Sequence, residues 1–491
     1  MIPLTLVEVA HAVGGRLHGT DGSAVVTGGV EFDSRRVGPG GLFVALPGER
    51  VDGHDYAAAA VAAGAVAVLA ARPVDAPAVL VPPAAAGYRG SYALAADTGG
   101  AGAAVLAGLA RLARAVTDRL TPAGLHVVGI TGSSGKTSTK DMAAALLDPL
   151  GPTVAPPGSF NNEVGHPWTV LRADERTRHL VLELSARGPG HVAALCRIAP
   201  PSIGAVLNVG SAHLGEFGSR DAVAVAKGEL VEALPAGGVA VLNTDDPAVA
   251  AMAGRTAARV VRFGRGRAAE VRAADVALDD RGRAAFRLVS PSGEAAVRLA
   301  VHGEHQVGNA LAAAAVALEL GATPGHVVEV LGCYRAASRW RMEVTETAGG
   351  VTVVNDAYNA NPESVRAALQ TLVAMAGGPR RGWAVLGPLG ELGDAERATY
   401  DELGRLAARL GVGRLVVVGE QARPLHQAAQ QEGLTGEGSV LVPDVQAALT
   451  LLRTETAPGD VVLVKASRAF ELQRIADGLH EPAAAAGGSG R

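Results

Sequence analysis

The chain has 491 residues, of which 48% are hydrophobic and only 3% aromatic, and its formal net charge is −4. This length predicts two to four domains with aliphatic cores, and the dispersed charges of both signs argue against a nucleic-acid partner or attraction to a membrane surface. Two cysteines far apart, no basic leader and no strongly apolar run of about 18 residues predict a cytoplasmic chain that does not insert into a membrane.

Residues 1–92 form the first predicted unit. The pattern predicts helices over 6–12 and 56–63 and strands over 42–46 and 65–69. Ser34 and Arg35 lie in a polar turn before a strand, and a second polar loop covers 52–54. Loops of this kind bind ligands in α/β units, but they also supply turns and helix caps, and the spacing fits both roles. A stretch rich in Pro, Ala and Gly over 82–102 predicts the boundary of this unit.

A glycine-rich turn follows the apolar segment 127–130 and leads into a helical pattern. Its residues are Gly132, Ser133, Ser134, Gly135, Lys136, Thr137 and Ser138. Glycines in such a turn let backbone N–H groups face phosphate oxygens, the lysine neutralises phosphate charge, and the hydroxyl reaches Mg²⁺. The strict motif has glycine where this chain has Ile130, but the shorter form TGxxGKT is complete. We therefore predict a loop that binds the phosphates of a nucleotide (P-loop).

From residue 125 the pattern alternates strands with helices, which predicts a mostly parallel sheet with helices on both faces. Glu183 ends one buried strand, at the edge where ligands bind in open α/β sheets. His213 lies in the loop after a later strand, and beside a P-loop and an acid it is a candidate metal ligand. Lys227 lies on an otherwise apolar helix, where it is either functional or a surface lysine whose stem packs on its neighbours.

The remainder of the chain predicts further α/β structure. Small antiparallel strands are expected within 268–299, followed by a long alanine-rich helix with Asn309 near its start. The composition changes near 335–339, and strands then alternate with helices as in a second doubly wound unit. We therefore predict an α/β fold with three domains and a disordered tail, over residues 1–92, 93–337, 338–480 and 481–491.

Five motifs occur in a fixed order: TGSSGKT, the strand-end Glu183, NVGSAHLGEFGS with His213, AKGE with Lys227, and NDAYNANPES. In this order they resemble the Mur ligase family of peptidoglycan synthesis, over nearly the whole chain. GSFNNEVGHPWTVL and DAYNANPES resemble the member that adds D-alanyl-D-alanine to UDP-N-acetylmuramoyl-tripeptide, and the DNPR motif of the preceding ligase is absent. The chain departs from the family pattern at Phe32, where threonine is usual, and in GPLGELG, where Pro388 and Leu389 replace Asp and Met.

The resemblance implies an N-terminal UDP-substrate domain, a central P-loop domain that binds ATP, and a C-terminal Rossmann-like domain. It also implies an ATP-dependent ligase that forms ADP and phosphate through an acyl-phosphate intermediate. Lys136 would bind the β- and γ-phosphates, and Thr137 and Glu183 would hold one Mg²⁺. His213 and Lys227, the latter carbamylated by CO2, would serve a second Mg²⁺.

Further contacts to the substrates follow from the same resemblance. Asn161 and Asn162 would bind the UDP-N-acetylmuramoyl-tripeptide, together with Ser34 and Arg35 of the N-terminal domain. Asn309 would lie on the adenine side of ATP.

The last domain would complete the site. Arg341 would reach a phosphate of ATP, with Arg339 as a close competitor, and Asp356 would contact the nucleotide. Tyr358 and Asn359, beside that acid, are substrate-binding candidates. Weaker candidates near the D-alanyl-D-alanine lie further along the chain: Lys465, Ser467 and Arg468. Because the arginine and the P-loop come from different domains, we expect a monomer whose domains close around the substrates.

Two other interpretations fit parts of the sequence. A ligase of the folylpolyglutamate or cyanophycin type would share the P-loop domain but should lack the loop over 32–55. A P-loop NTPase that couples hydrolysis to a conformational change would release phosphate without a dipeptide. A binding module without activity is disfavoured, because all five residues suited to catalysis are present: Lys136, Thr137, Glu183, His213 and Lys227.

Overall fold

The computed structural model describes residues 1–48, 50–84, 97, 99–211 and 214–481, and it confirms the α/β class. Three main sheets follow one another along the chain, and each lies within one of the three predicted units. The residue boundaries between these units stay predictions. The predicted tail lies outside the described residues from position 482 onward. Within the described ranges, none of the helices has the length and apolarity that a membrane span requires.

The N-terminal unit is a five-stranded sheet with a short additional strand pair. Its elements are β1 (Leu4–Thr5), α1 (Leu6–Val13), β2 (Arg16–His18), β3 (Val25–Val26), β4 (Val30–Glu31), β5 (Gly41–Val44), α2 (Ala57–Ala62), β6 (Ala65–Ala70) and β7 (Ala78–Leu80). The sheet order is β2-β7-β6-β5-β4, and only β2 runs antiparallel to its neighbour. A capping box between Thr5 and Glu8 starts α1, and Gly14 in the left-handed conformation ends it.

The central unit is a nine-stranded sheet preceded by a long helix. Its elements are α3 (Ala101–Leu120), β8 (His126–Thr131), α4 (Lys136–Leu147), β9 (Thr153–Val154), α5 (Gly165–Val170), β10 (His179–Glu183), α6 (His191–Ile198), β11 (Ile203–Val206), α7 (Leu214–Phe217), α8 (Arg220–Glu232), β12 (Val239–Asn243), α9 (Pro247–Ala250), β13 (Arg259–Gly264), β14 (Val271–Leu278), β15 (Arg283–Ser290), β16 (Gly293–His302), α10 (Gln306–Glu319) and α11 (Pro324–Cys333). The order is β16-β15-β14-β13-β12-β11-β8-β10-β9, parallel from β14 to β9 and antiparallel from β14 to β16. The predicted antiparallel additions therefore extend the parallel sheet at one edge.

The C-terminal unit is a six-stranded sheet. Its elements are β17 (Glu343–Glu346), β18 (Thr352–Asn355), α12 (Pro362–Met375), β19 (Gly382–Leu386), α13 (Glu396–Arg409), β20 (Arg414–Val418), α14 (Arg423–Gln431), β21 (Ser439–Val442), α15 (Val445–Glu455), β22 (Val461–Lys465) and α16 (Gln473–His480). The order is β17-β18-β22-β19-β20-β21, and only β17 runs antiparallel. Before α16, a short 3₁₀ turn covers Arg468–Phe470, and Glu471 with φ 53° separates it from the helix.

The apolar cores connect the first two units and leave the third separate. One cluster of buried side chains extends from Ile2 to Ala258 and includes both α1 and α3. Fourteen of the 20 residues of α3 are buried, because the helix is covered by the N-terminal sheet on one side and by the central unit on the other. The two clusters of the C-terminal unit contain only residues between Met342 and Ala476.

The strand register places the predicted functional residues at one edge of the central sheet. Glu183 of β10 lies opposite Ile130 of β8, two residues before Gly132 of the P-loop. On the other side of β8, Val206 of β11 lies opposite Thr131. The carboxyl ends of three neighbouring parallel strands therefore meet at the P-loop, which is where open α/β sheets bind their ligands.

Candidate active site

A cavity of about 920 Å³ lies between the central and the C-terminal units. The central unit contributes the P-loop from Ser133 to Ser138, together with Glu183, Asn161 and Asn162. The C-terminal unit contributes the side chains that the sequence predicted there, namely Arg341, Asp356, Tyr358, Asn359, Lys465, Ser467 and Arg468. The two sets of predicted residues therefore face one another across a single cavity.

The P-loop has the backbone geometry that binding of phosphate requires. Gly135 adopts φ +80° immediately before α4, and a Cβ atom at this position would lie 2.3 Å from Oδ1 of Asn309. Both the left-handed backbone and the close neighbour exclude a side chain at this position. Nζ of Lys136 donates a hydrogen bond to the carbonyl oxygen of Gly132 at 2.8 Å, across the loop. Burial lowers the pKa of Lys136, and the charge of Glu183 opposes that shift.

Asn309 packs against the P-loop at Gly135. Its Oδ1 accepts a hydrogen bond from Oγ1 of Thr139 at 3.3 Å, and its Nδ2 donates to Oε1 of Gln306 at 2.9 Å. The side chain is only 8% exposed. The geometry therefore assigns Asn309 a packing role under Gly135, while the predicted role beside adenine stays a prediction.

Asn208 is a P-loop partner to which the sequence analysis assigned no role. Its Oδ1 accepts hydrogen bonds from the backbone N–H groups of Ser133 and Ser134, each at 2.9 Å. Its position at the end of a strand next to β8 was the only signal in the sequence that could have indicated this contact. The first N–H groups of α4 have no acceptor within the helix, and they face the same cavity.

The hydroxyl of Thr137 contacts three other side chains of the site. It donates to Oε2 of Glu183 at 2.9 Å, accepts from Nη2 of Arg341 at 3.1 Å, and lies 2.6 Å from Oγ of Ser159. Nη2 of Arg341 also donates to Oγ of Ser159 at 3.0 Å, and Nδ2 of Asn161 donates to Oε1 of Glu183 at 2.6 Å. An arginine of one unit therefore reaches the P-loop of another. Ser159 was missed because a serine in an irregular loop gives no periodic signal.

Thr137 and Glu183 offer oxygen ligands of the type that Mg²⁺ prefers. Among the described residues, no group of three or more His, Cys, Asp or Glu side chains is arranged as a metal site. His213, the predicted ligand of a second metal ion, lies outside the described residues.

Lys227 is buried in α8 and is only 4% exposed. In the described part of the chain its ammonium group has no hydrogen-bond acceptor. Burial, with a contribution from the positive charge of Lys136, lowers the pKa of Lys227 well below its usual value. The environment excludes the alternative of a solvated surface lysine and favours a neutral amine.

Asp356 is held entirely by its own unit. Its Oδ1 accepts from the backbone N–H of Met342 at 3.1 Å, and its Oδ2 accepts from Nζ of Lys465 at 2.6 Å. Lys465 is 2% exposed and also donates to the carbonyl oxygen of Asn359 at 3.0 Å. Burial lowers the pKa of Lys465, and the charge of Asp356 opposes that shift. Lys465 therefore fixes the loop that carries Tyr358 and Asn359.

The backbone around Arg341 directs its side chain towards the P-loop. The residues on either side, Trp340 and Met342, have φ values of 58° and 52°, which is rare for residues other than glycine. The guanidinium of Arg341 lies 4.1 Å from the centre of the Tyr358 ring, whereas that of Arg339 lies over the Trp340 ring at 5.4 Å. Of the two arginines, Arg341 lines the cavity.

Two more contacts connect the C-terminal unit to the loops of the central sheet. Oε1 of Glu363, at the start of α12, accepts from the backbone N–H and from Oγ of Ser211 at 2.7 and 2.9 Å. Nδ2 of Asn361 donates to the carbonyl oxygen of Ser133 at 3.3 Å. With the contacts of Arg341, these hydrogen bonds join the two units around the cavity.

Ser34 and Arg35 lie in the N-terminal unit, and they are not among the described residues that line this cavity. The side chain of Arg35 is 86% exposed and forms an ion pair with Asp33, which lowers the pKa of Asp33 to about 2. The neighbouring Phe32 packs on Trp168, with ring centres 6.0 Å apart. Nε1 of Trp168 donates to the carbonyl oxygen of Val30 at 2.8 Å, so this turn is attached to the central unit.

The second polar loop of the N-terminal unit has a structural role. His54 is 3% exposed, and its Nε2 accepts from the backbone N–H of Ala71 at 3.0 Å. Its Nδ1 therefore carries the proton that lies between it and Oδ1 of Asp52, at 2.7 Å. Every polar atom of this imidazole is used within the unit, so the loop supplies turn and cap chemistry.

Comparison with known proteins follows the same three-part division. The family model "Mur ligase family, catalytic domain" matches residues 27–89, "Mur ligase middle domain" matches 130–317, and "Mur ligase, glutamate ligase domain" matches 340–468. The UDP-N-acetylmuramoyl-tripeptide–D-alanyl-D-alanine ligase of Mycobacterium tuberculosis is 56% identical over 499 residues, which cover 98% of each chain.

Solved structures agree with the sequence comparison. MurF from Acinetobacter baumannii superimposes with a TM-score of 0.83 at 31% identity, over 98% of this chain and 99% of that one. MurF ligase from Thermotoga maritima in complex with ADP gives a TM-score of 0.77 at 29% identity, over 93% and 97% of the two chains. From the P-loop geometry, the domain matches and this full-length similarity, we conclude that the chain belongs to the Mur ligase family.

Proposed function

We propose that the chain is an ATP-dependent ligase that joins D-alanyl-D-alanine to UDP-N-acetylmuramoyl-tripeptide in the cytoplasmic synthesis of peptidoglycan precursors. One observation carries the proposal: the P-loop, the buried Glu183 and an arginine of another unit converge on Thr137. The chain in which they converge matches a ligase of this name over 98% of its length. The matched N-terminal unit, which a ligase of the folylpolyglutamate type should lack, favours a UDP-linked substrate.

The chemistry overcomes the low reactivity of a carboxylate towards an amine. The γ-phosphoryl group of ATP is transferred to a carboxylate oxygen of the tripeptide, which gives an acyl phosphate and ADP. The amine of D-alanyl-D-alanine then attacks the acyl carbon, the C–O bond to the phosphate breaks, and an amide forms with loss of a proton. Neither step needs a covalent link to the protein, so catalysis rests on positioning and on neutralisation of charge.

Lys136 and the N-terminus of α4 supply positive charge for the phosphates of ATP. Lys136 at present bonds to the carbonyl oxygen of Gly132, and it can turn to a phosphate oxygen without leaving the cavity. Arg341 adds a guanidinium at the hydroxyl of Thr137, where negative charge would accumulate during phosphoryl transfer.

Mg²⁺ would neutralise and align the phosphates. Thr137 and Glu183, whose oxygens are 2.9 Å apart, would hold one ion. A second ion would be held by His213 and by Lys227 in carbamylated form. Carbamylation turns a cation into an oxygen ligand, and the buried, acceptor-free Lys227 amine described above favours this reaction.

The two substrates would approach from different sides. Asn161 and Asn162 line the cavity and would contact the UDP-N-acetylmuramoyl-tripeptide, while Ser34 and Arg35 would bind its uridine end in the N-terminal unit. The guanidinium of Arg468 lies 5.2 Å from the centre of the Tyr358 ring, and we assign it the carboxylate of D-alanyl-D-alanine, which a guanidinium binds with two hydrogen bonds. A monomer contains all of these groups.

Arg341 and Arg339 give a matched pair of substitutions. We expect Arg341→Ala to lower kcat by about 10²-fold, because it removes a charge aimed at the transferred phosphoryl group. Arg339→Ala should keep kcat within about threefold, since its guanidinium lies over Trp340 and does not line the cavity. Steady-state release of ADP measures both variants. Equal losses in the two variants would contradict the assignment.

Release of ADP across UDP-N-acetylmuramoyl-tripeptides, with and without D-alanyl-D-alanine, tests the function itself. We expect release to require both substrates and ATP, and mass spectrometry to find the UDP-N-acetylmuramoyl-pentapeptide. Release that is independent of the dipeptide would favour an NTPase and refute the ligase.

A further inference from the structure

The distribution of lysine in this chain is unusual. The chain has 44 lysine and arginine residues, and only four of them are lysines: Lys136, Lys140, Lys227 and Lys465. None of the four is on the surface as an exposed cation, and Lys140 is only 1% exposed. Three of them belong to the active site described above. The fourth, Lys140, has no role in the chemistry proposed so far.

Lys140 lies one helical turn after Lys136 on α4, in a polar pocket of its own. Its Nζ donates to the carbonyl oxygen of Pro156 at 2.7 Å and also to Oδ1 of Asp141, which is 8% exposed. A buried ammonium is unfavourable unless it is paired and hydrogen-bonded. The carboxylate of Asp141 supplies the opposite charge, and the carbonyl of Pro156 is the acceptor that another part of the chain provides.

Pro156 lies near the start of an irregular segment, and Lys140 anchors that end of it. Residues 155–164 form neither helix nor strand between β9 and α5, and Gly158 within them adopts φ +67°. The segment presents three side chains to the cavity: Ser159, Asn161 and Asn162. The first two bond to Thr137 and Glu183, each at 2.6 Å. A shift at Pro156 would therefore disturb side chains that line the cavity and bond to Thr137 and Glu183.

We propose that Lys140 is a positioning residue for the UDP-linked substrate: it ties the helix that follows the P-loop to the segment 156–162. The proposal rests on the ligase function proposed above. The same helix carries Lys136 and Thr137 at its N-terminus. One rigid helix therefore positions both the residues that would bind the phosphates and the segment 156–162.

Lys140→Met tests the proposal, because methionine has nearly the same length and removes only the ammonium. We expect the KM for the UDP-N-acetylmuramoyl-tripeptide to rise about tenfold, with the KM for ATP within about twofold. Hydrogen–deuterium exchange of the substrate-free protein should increase over residues 156–162. Should Lys140→Met fail to fold, Lys140→Gln replaces it, with the same expected directions.

Two controls separate positioning from stability. Met142→Ala removes a buried side chain from the same helix (Met142 is 1% exposed), and it should lower the melting temperature without changing either KM or the exchange over 156–162. Asp141→Asn breaks the ion pair but leaves the bond to Pro156, so its substrate KM should stay within about threefold.

Two results would overturn the proposal. One is an unchanged substrate KM together with unchanged exchange in Lys140→Met. The other is an equal rise of the KM in Lys140→Met and Asp141→Asn, which would indicate a structural ion pair only. If the wild-type protein does not ligate the dipeptide, the ligase function is refuted instead. Hydrogen–deuterium exchange over residues 156–162 would still test whether the contact between Lys140 and Pro156 holds that segment.

Discussion

Lys136→Ala should lower the kcat for ligation by about 10³-fold at saturating substrates, because its ammonium is the P-loop charge nearest the phosphates of ATP. Among the described residues, the side chain bonds only to the carbonyl oxygen of Gly132, so its loss should leave the fold intact. The measurement is ADP release, with the melting temperature recorded in parallel.

Arg36→Ala serves as the control for loss of a cation elsewhere in the chain. Its side chain is exposed in the N-terminal unit, outside the residues that line the cavity. We expect it to leave kcat within about twofold. Turnover of Lys136→Ala close to that of the wild type, at saturating ATP, would show that the lysine does not carry phosphate charge.

Lys227→Ala should be nearly inactive, with a loss of at least about 10²-fold, if the carbamate holds a metal ion worth several kcal/mol of charge stabilisation. Acetate or another short carboxylate should restore part of the activity by filling the vacated oxygen positions. Leu230→Ala is the matched control, since Leu230 is fully buried on the same helix and its loss destabilises without removing a ligand.

Carbamylation also predicts a dependence on pH and CO2. The neutral amine attacks CO2 and releases a proton, so the carbamate is lost as the pH falls and the amine is protonated. Since burial lowers the pKa of Lys227 well below its usual value, the neutral amine is available at a lower pH than it is for an exposed lysine. Labelling with ¹³CO2 should give a carbamate signal in the wild type that Lys227→Ala lacks. Full activity of Lys227→Ala, or no such signal in the wild type with Mg²⁺ and nucleotide, would refute the carbamate.

The sequence predicted those parts of the site that depend on parallel strands. Strand, glycine turn, lysine and helix were recognisable in order, and the end of a buried strand placed Glu183 beside them before any register was known. The structure adds the register that sets Glu183 opposite Ile130. In the central sheet, two strands were missed because their patterns are weak: β9 has only two residues, and β13 carries arginines at both ends of a short apolar run.

Contacts between loops could not be predicted. Ser159 and Asn208 reach the P-loop from irregular segments, where polar residues follow no period. Which of Arg339 and Arg341 reaches the P-loop could not be predicted. It depends on the positive φ values of Trp340 and Met342, and the conformational preferences of these residue types do not indicate such values. The interaction between Lys465 and Asp356 joins positions 109 residues apart in sequence, so only the folded chain reveals it.

The shared core of the first two units has a consequence for the order in which a growing chain can fold. Helix α1 packs on α3, and α3 packs in turn on α5 and α6 of the central unit, so the first 92 residues cannot complete their burial before α3 has been synthesised. Their apolar faces are exposed to chaperones in the meantime. The C-terminal unit draws its cores from residues 342–476 alone and can fold as soon as it emerges.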